Sequence, residues 1–157
     1  MRSPPRILLV EDDPRDAELA LRALAASDPA PEVIHVQDGA DALDFLYCRG
    51  AFAARPGCDR PVVMLLDLKM PRVDGLEVLR QVKSDPELRT IPVVMLTSSR
   101  EEQDVLETYA IGANAYIVKP VRFRSFQEAL QAVGAFWAVL NEPPPAGSGK
   151  SAGDPAE

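Results

Sequence analysis

Five short apolar runs alternate along the chain with segments whose apolar positions recur every three or four residues. The runs are Ile7–Val10, the stretch 32–37 with Val33, Ile34 and Val36, then Val62–Leu66, Val93–Leu96 and Tyr116–Val118. Most are apolar at consecutive positions, as strands buried on both faces must be, so the pattern predicts an α/β fold with a parallel sheet between two layers of helices. Asp13-Pro14 reads as a helix N-cap and first helical residue, since proline there loses no useful amide donor. Ala17, Ala20, Leu21 and Leu24 then repeat at helical spacing. A second helix begins near Gly39 and carries Leu43, Leu46 and Tyr47 inward. A third places Val78, Leu79 and Val82 on one stripe and stops at Asp85-Pro86. The fourth sets Val105, Leu106 and Tyr109 on one side and ends near Gly112, a residue suited to a left-handed cap.

The last helix presents Phe123, Phe126, Leu130, Val133, Trp137 and Leu140 as a core face, and Ala129, Ala132, Phe136 and Val139 as a weaker second stripe. Either this second stripe, with aromatics near the helix end, is buried against a partner, or the two stripes form a single wide core face. The connection 49–60 exceeds the ordinary length of a helix-to-strand link. Residues 1–5 read as a short tail and 141–157 as a disordered tail of Pro, Gly, Ser and Ala. Gly147-Ser148-Gly149-Lys150-Ser151 looks like the end of a phosphate-binding loop, but Pro144 stands where that motif needs glycine.

Charge narrows the function. A net charge of −7 argues against a nucleic-acid partner, which needs a basic face. No apolar run approaches the ~20 residues that cross a bilayer, and the amino end lacks a signal-like core, so the expectation is a soluble, cytoplasmic protein. In that compartment Cys48 and Cys58 are expected as free thiols. His35 reads as a half-buried strand residue rather than a ligand or base.

The chemistry sits where the runs end. Glu11, Asp12 and Asp13 follow the first, Asp67 the third, Thr97 the fourth and Lys119 the fifth. In an open parallel sheet the carboxyl ends of neighbouring strands lie side by side, beside the crevice where such sheets bind ligands. Glu11, Asp12 and Asp67 would then crowd three carboxylates together, a conflict a cation resolves, and oxygen ligands that leave room for water suit Mg²⁺. Lys119 adds a fixed positive charge, and Asp67 a nucleophile, as phosphoryl transfer requires.

As a set these residues resemble the receiver domain of two-component response regulators, over roughly residues 6–140. The long connection after the second helix and the Phe136-Trp137 terminus are most similar to single-domain regulators paired with phytochrome-type histidine kinases. The resemblance implies a flavodoxin-like (βα)5 three-layer fold with a five-stranded sheet of order 2-1-3-4-5. It further implies that Asp67 is the phosphoacceptor, that Glu11, Asp12, Asp67 and the Lys69 backbone carbonyl hold Mg²⁺, and that Thr97 and Lys119 contact the phosphoryl group. Thr97 and Tyr116 would switch the surface of the fourth helix, last strand and last helix. Lys69 and Ser99 would tune dephosphorylation, and Phe136 and Trp137 would form a partner or dimer face.

The implied partners are a sensor histidine kinase, in this branch a bacteriophytochrome, and a second copy of the chain. The implied activity is that of a phosphoacceptor, with self-phosphorylation and self-dephosphorylation but no other enzymatic turnover. The last seventeen residues, 141–157, are too few for a DNA-binding or enzymatic output domain. A phosphatase of the haloacid dehalogenase type also uses an aspartate nucleophile, yet it wants a second aspartate where Lys69 stands. A flavodoxin relative wants a hydroxyl-rich phosphate loop where Glu11-Asp12-Asp13 stands. A receiver that only binds and is never phosphorylated is the remaining alternative.

Overall fold

The computed structural model describes residues 5–27, 30–55, 59–120 and 122–145. Strands and helices alternate as β1 (Arg6–Val10), α1 (Pro14–Ala25), β2 (Glu32–Val36), α2 (Gly39–Leu46), β3 (Val63–Leu66), α3 (Gly75–Ser84), β4 (Val93–Thr97), α4 (Glu102–Ile111), β5 (Ala115–Val118) and α5 (Phe123–Ala135). A five-residue π-turn, Phe136–Leu140, prolongs α5 and closes with the Asn141 N–H on the Phe136 carbonyl at 2.7 Å. The strands form one parallel sheet of order β2-β1-β3-β4-β5, the flavodoxin-like arrangement that the resemblance implied. Residues 1–4 and 146–157, which hold most of the two expected tails, lie outside the described residues, as does Cys58.

Each strand points alternate side chains to opposite faces, so two cores form. Leu8, Val10, Met64, Leu66, Val93 and Met95 pack with Phe45, Leu79 and Val82 on the side of α2 and α3. Ile7, Leu9, Val63, Leu65, Val94 and Leu96 pack with Ala20, Leu24, Phe126 and Leu130 on the side of α1 and α5. Asp13 caps α1 as expected, its side chain accepting from the Arg15 N–H at 2.9 Å and the Asp16 N–H at 3.2 Å. The connection 49–60 has a structural use: Phe52 meets the buried Phe45 ring edge-on at 5.2 Å, and the Arg55 guanidinium lies 4.0 Å from the centre of that ring.

Three expectations fail. On α4 the face turned inward is Val105, Thr108 and Ile111, while Leu106 and Tyr109 are exposed, 59% and 49%. The buried Thr108 hydroxyl makes this possible by donating to the Val105 carbonyl at 3.0 Å, so a polar residue fills a core position. On α5 the core face is shorter than the apolar stripe, because Phe123, at the first position of the helix, and Leu140, at the end of the π-turn, are exposed. Cys48 is disulfide-bonded rather than free; the chain reverses sharply there, with φ +52°, and a compartment argument carries no information about such local geometry.

The loop from Leu68 to Asp74 is anchored at both ends. Arg72, at φ +62°, grips the Asp38 carboxylate with two bonds of 2.8 and 2.9 Å, and Asp38 also caps α2 through the Asp41 N–H. A Cβ on Gly39 would stand 2.0 Å from the Val73 carbonyl oxygen, and one on Gly75 would stand 1.9 Å from that of Asp67. Only glycine allows helix α3 to start so close to the end of β3. Gly75→Ala should therefore destabilise the fold by about 1–3 kcal/mol, read as a lower urea midpoint with an unchanged slope. An unaltered midpoint would show that the close approach relaxes freely.

Candidate functional site

Backbone pairing carries the strand ends into register. The Asp67 N–H donates to the Val10 carbonyl at 3.1 Å, the Glu11 N–H to the Val36 carbonyl at 3.1 Å, and the Lys119 N–H to the Thr97 carbonyl at 2.7 Å. These bonds place the residues after β1, β3, β4 and β5 on one edge of the sheet. Glu11, Asp12 and Asp67 each bring a carboxylate oxygen within 4.8 Å of the others, with Glu11 and Asp67 buried and Asp12 exposed.

Lys119 enters this cup from β5. Its ammonium contacts the Glu11 Oε1 directly, lies 3.0 Å from Asp16 Oδ2 and 3.6 Å from Asp67 Oδ2. The other Asp67 oxygen accepts from the Leu68 N–H at 2.8 Å, and Glu11 Oε2 accepts from the Asp13 N–H at 3.2 Å. His35 completes the support, donating from Nε2 to the Glu11 carbonyl at 2.9 Å, since a carbonyl can only accept. That is the structural role expected of it.

Beside Asp67 opens a cleft of about 300 Å³ lined by Lys69, Thr97, Ser98, Ser99, Arg100 and Glu101. Thr97 is buried and its hydroxyl accepts from the Ser99 N–H at 3.4 Å. The Ser99 hydroxyl donates to Asp104 at 2.5 Å, and the Tyr116 hydroxyl donates to the Ser99 carbonyl at 3.1 Å. Tyr116 is thus tied to the loop that carries Thr97. Phe136 and Trp137, stacked edge to face at 4.9 Å, do not line the cleft; Phe136 is exposed, and Trp137 is half-buried against the α1 side of the core. Asp16 is the participant that reading the sequence missed. Its one signal was a position three residues beyond the Asp13 cap, in the first turn of α1.

Charge is unevenly balanced in the cup. Burial raises the Glu11 carboxyl to about 8, an effect the Lys119 bond opposes and the neighbouring Asp67 charge reinforces. Burial alone would lower the Lys119 ammonium, but its bonds to Glu11 and Asp16 and the Asp67 charge outweigh that and hold it protonated above its ordinary range. One ammonium facing several carboxylates leaves net negative charge among converging hard oxygens. The cluster Glu11, Asp12 and Asp67 can accordingly hold a metal ion, and its donor set suits an oxygen-loving divalent cation.

A carboxyl raised on folding takes up a proton as the chain folds, so its contribution to stability is complete below about 4.5 and is lost as the pH rises through about 8. The melting temperature of the metal-free protein should fall across that window, and Glu11→Gln should flatten the fall. Parallel profiles for the two proteins in circular-dichroism melts would contradict the assignment.

Residues 7–131 match the family described as the response regulator receiver domain. The chain is 39% identical over 136 residues to the response regulator Rcp1 of Synechocystis sp., covering 86% of this chain and 90% of that protein. The Mn²⁺-bound form of Rcp1 superimposes with a TM-score of 0.84 at 37% identity, covering 90% and 100% of the two chains. The phosphorylated cyanobacterial phytochrome response regulator RcpA gives a TM-score of 0.85 at 37% identity, covering 91% and 100%. The bacteriophytochrome response regulator RtBRR is 59% identical with a TM-score of 0.73, covering 91% of this chain and 86% of its own. Sheet order, strand-end acids and sequence agree, and the chain belongs to the response regulator receiver domains of two-component signalling, alongside relatives associated with phytochromes.

Proposed function

We propose that this receiver accepts a phosphoryl group on Asp67 from a phosphohistidine of a sensor histidine kinase, in a Mg²⁺-dependent reaction. The observation that carries the reading is the Asp67 carboxylate itself, with one oxygen 3.6 Å from the Lys119 ammonium and the side chain opening on a cleft that Thr97 lines. A carboxylate oxygen of Asp67 bonds to phosphorus as the P–N bond breaks, and the electron pair of that bond stays on the imidazole nitrogen. Lys119 pairs with a phosphoryl oxygen and the Thr97 hydroxyl donates to another. Glu11, Asp12, Asp67 and the Lys69 carbonyl would hold Mg²⁺, which would offset the negative charge that acceptor and phosphoryl group bring together. Lys69 and Ser99, both on the cleft, govern how water reaches the acyl phosphate.

Signalling follows from the tether between Ser99 and Tyr116. As Thr97 moves toward the phosphoryl group, its loop shifts the carbonyl that holds the tyrosine, and the surface of α4, β5 and α5 is remodelled. A switch from ~1:99 to ~99:1 needs about 5.5 kcal/mol of preference, within reach of several charge-assisted bonds. Two relatives are named as phytochrome response regulators, which supports a bacteriophytochrome kinase as the donor. The exposed Phe136 and Val139 on the terminal turn support a homodimer face. The protein acts in the cytoplasm.

Asp67→Asn should abolish labelling by acetyl phosphate, and Lys119→Met should slow it roughly 100-fold. Chelation of Mg²⁺ should stop labelling of the native protein. Undiminished labelling of the Asn variant would end the reading. In sedimentation velocity, Phe136→Glu should shift a dimer to monomer, with and without beryllofluoride as a stand-in for the phosphoryl group.

A further inference from the structure

Lys119 has three N–H donors, and three carboxylates surround it. Two of them, Glu11 and Asp67, belong to the group of oxygens suited to a metal, and the third, Asp16, does not. An ammonium held only by Glu11 and Asp67 would sit on the oxygens that a cation needs. Asp16 offers it a partner outside the cup. The bond is 3.0 Å long and joins residues 103 positions apart, the start of α1 to the end of β5.

Asp16 is placed for this. The Asp13 cap accepts the Asp16 N–H at 3.2 Å and so fixes the first turn of α1, on which the carboxylate stands. Its side chain is 32% exposed whereas that of Lys119 is 10% exposed, so the pair reaches from the edge of the solvent to the wall of the cup. Glu11 is almost wholly buried and keeps the ammonium in direct contact at the inner end of this pair.

We infer that Asp16 is a positioning residue that, together with Glu11, holds the Lys119 ammonium 3.6 Å from Asp67 Oδ2, leaving that oxygen available to a divalent cation and the ammonium aimed for an incoming phosphoryl oxygen. This rests on the function proposed above. An acid in the first turn also complements the helix dipole. That role alone would lower the melting temperature of an Asn variant without making its metal affinity depend on Lys119.

The test is a double-mutant cycle read by calorimetric titration of Mg²⁺ into the full chain. Asp16→Asn should weaken Mg²⁺ binding about five- to tenfold, the scale of one charge-assisted bond discounted for partial exposure. Asp16→Glu should restore most of it. In a Lys119→Gln background the Asp16→Asn penalty should shrink below about twofold, because no ammonium remains to compete. A second measurement needs no Lys119 variant: the ¹⁵Nζ resonance of Lys119 should stay slow in hydrogen exchange with Mg²⁺ bound in the native protein and be lost in Asp16→Asn. Equal penalties in both backgrounds, unchanged binding by Asp16→Asn, or an unaffected Lys119 resonance would each overturn the role of Asp16 while leaving the acceptor assignment intact. A native protein that takes up no Mg²⁺ would overturn both.

Discussion

Everything at the active edge depends on one positive charge kept among carboxylates in a poorly solvated place. Glu11 and Asp67 are buried close enough to repel, and each would be expensive to hold ionised without a counter-charge. The Lys119 ammonium supplies it, and arrives from the opposite side of the sheet's centre through β5. The cup is therefore assembled by tertiary structure. No stretch of consecutive residues contains both signs of charge in this arrangement.

The sheet makes that assembly reproducible. Continuous apolar strands leave little choice of register, because a shift of one residue would turn each buried side chain to the wrong core. Once Val10 lies against Leu66 and Thr97 against Val118, the acids and the lysine that follow must meet. Stability and chemistry are joined through the register: the same leucines and valines that fill the two cores determine which polar residues emerge at the edge.

This explains what was legible beforehand. Runs such as Val62–Leu66 and Val93–Leu96 announce strands, and the polar residue after each run announces the edge, so the sequence alone places Glu11, Asp12, Asp67, Thr97 and Lys119 together. Asp16 could not, since it lies in a helix and its meeting with Lys119 depends on how α1 is angled over the sheet. The inward face of α4 was misread because Thr108 buries by satisfying its hydroxyl within the helix, and a pattern search over apolar residues passes it by. The state of Cys48 and the steric demand at Gly75 are likewise properties of local chain paths that composition does not record.

The loop that leaves β3 is pinned by Arg72 on one flank and by tight glycine contacts at Gly39 and Gly75 on the other, while its crest bears the exposed Lys69. Positions that secure the chain and the position that faces the cleft are thus neighbours in sequence but mechanically independent. A substitution of the crest side chain would reshape the lining of the cleft while the contacts that secure the loop stay in place. The mouth of the cleft and the footing beneath it can be altered one at a time.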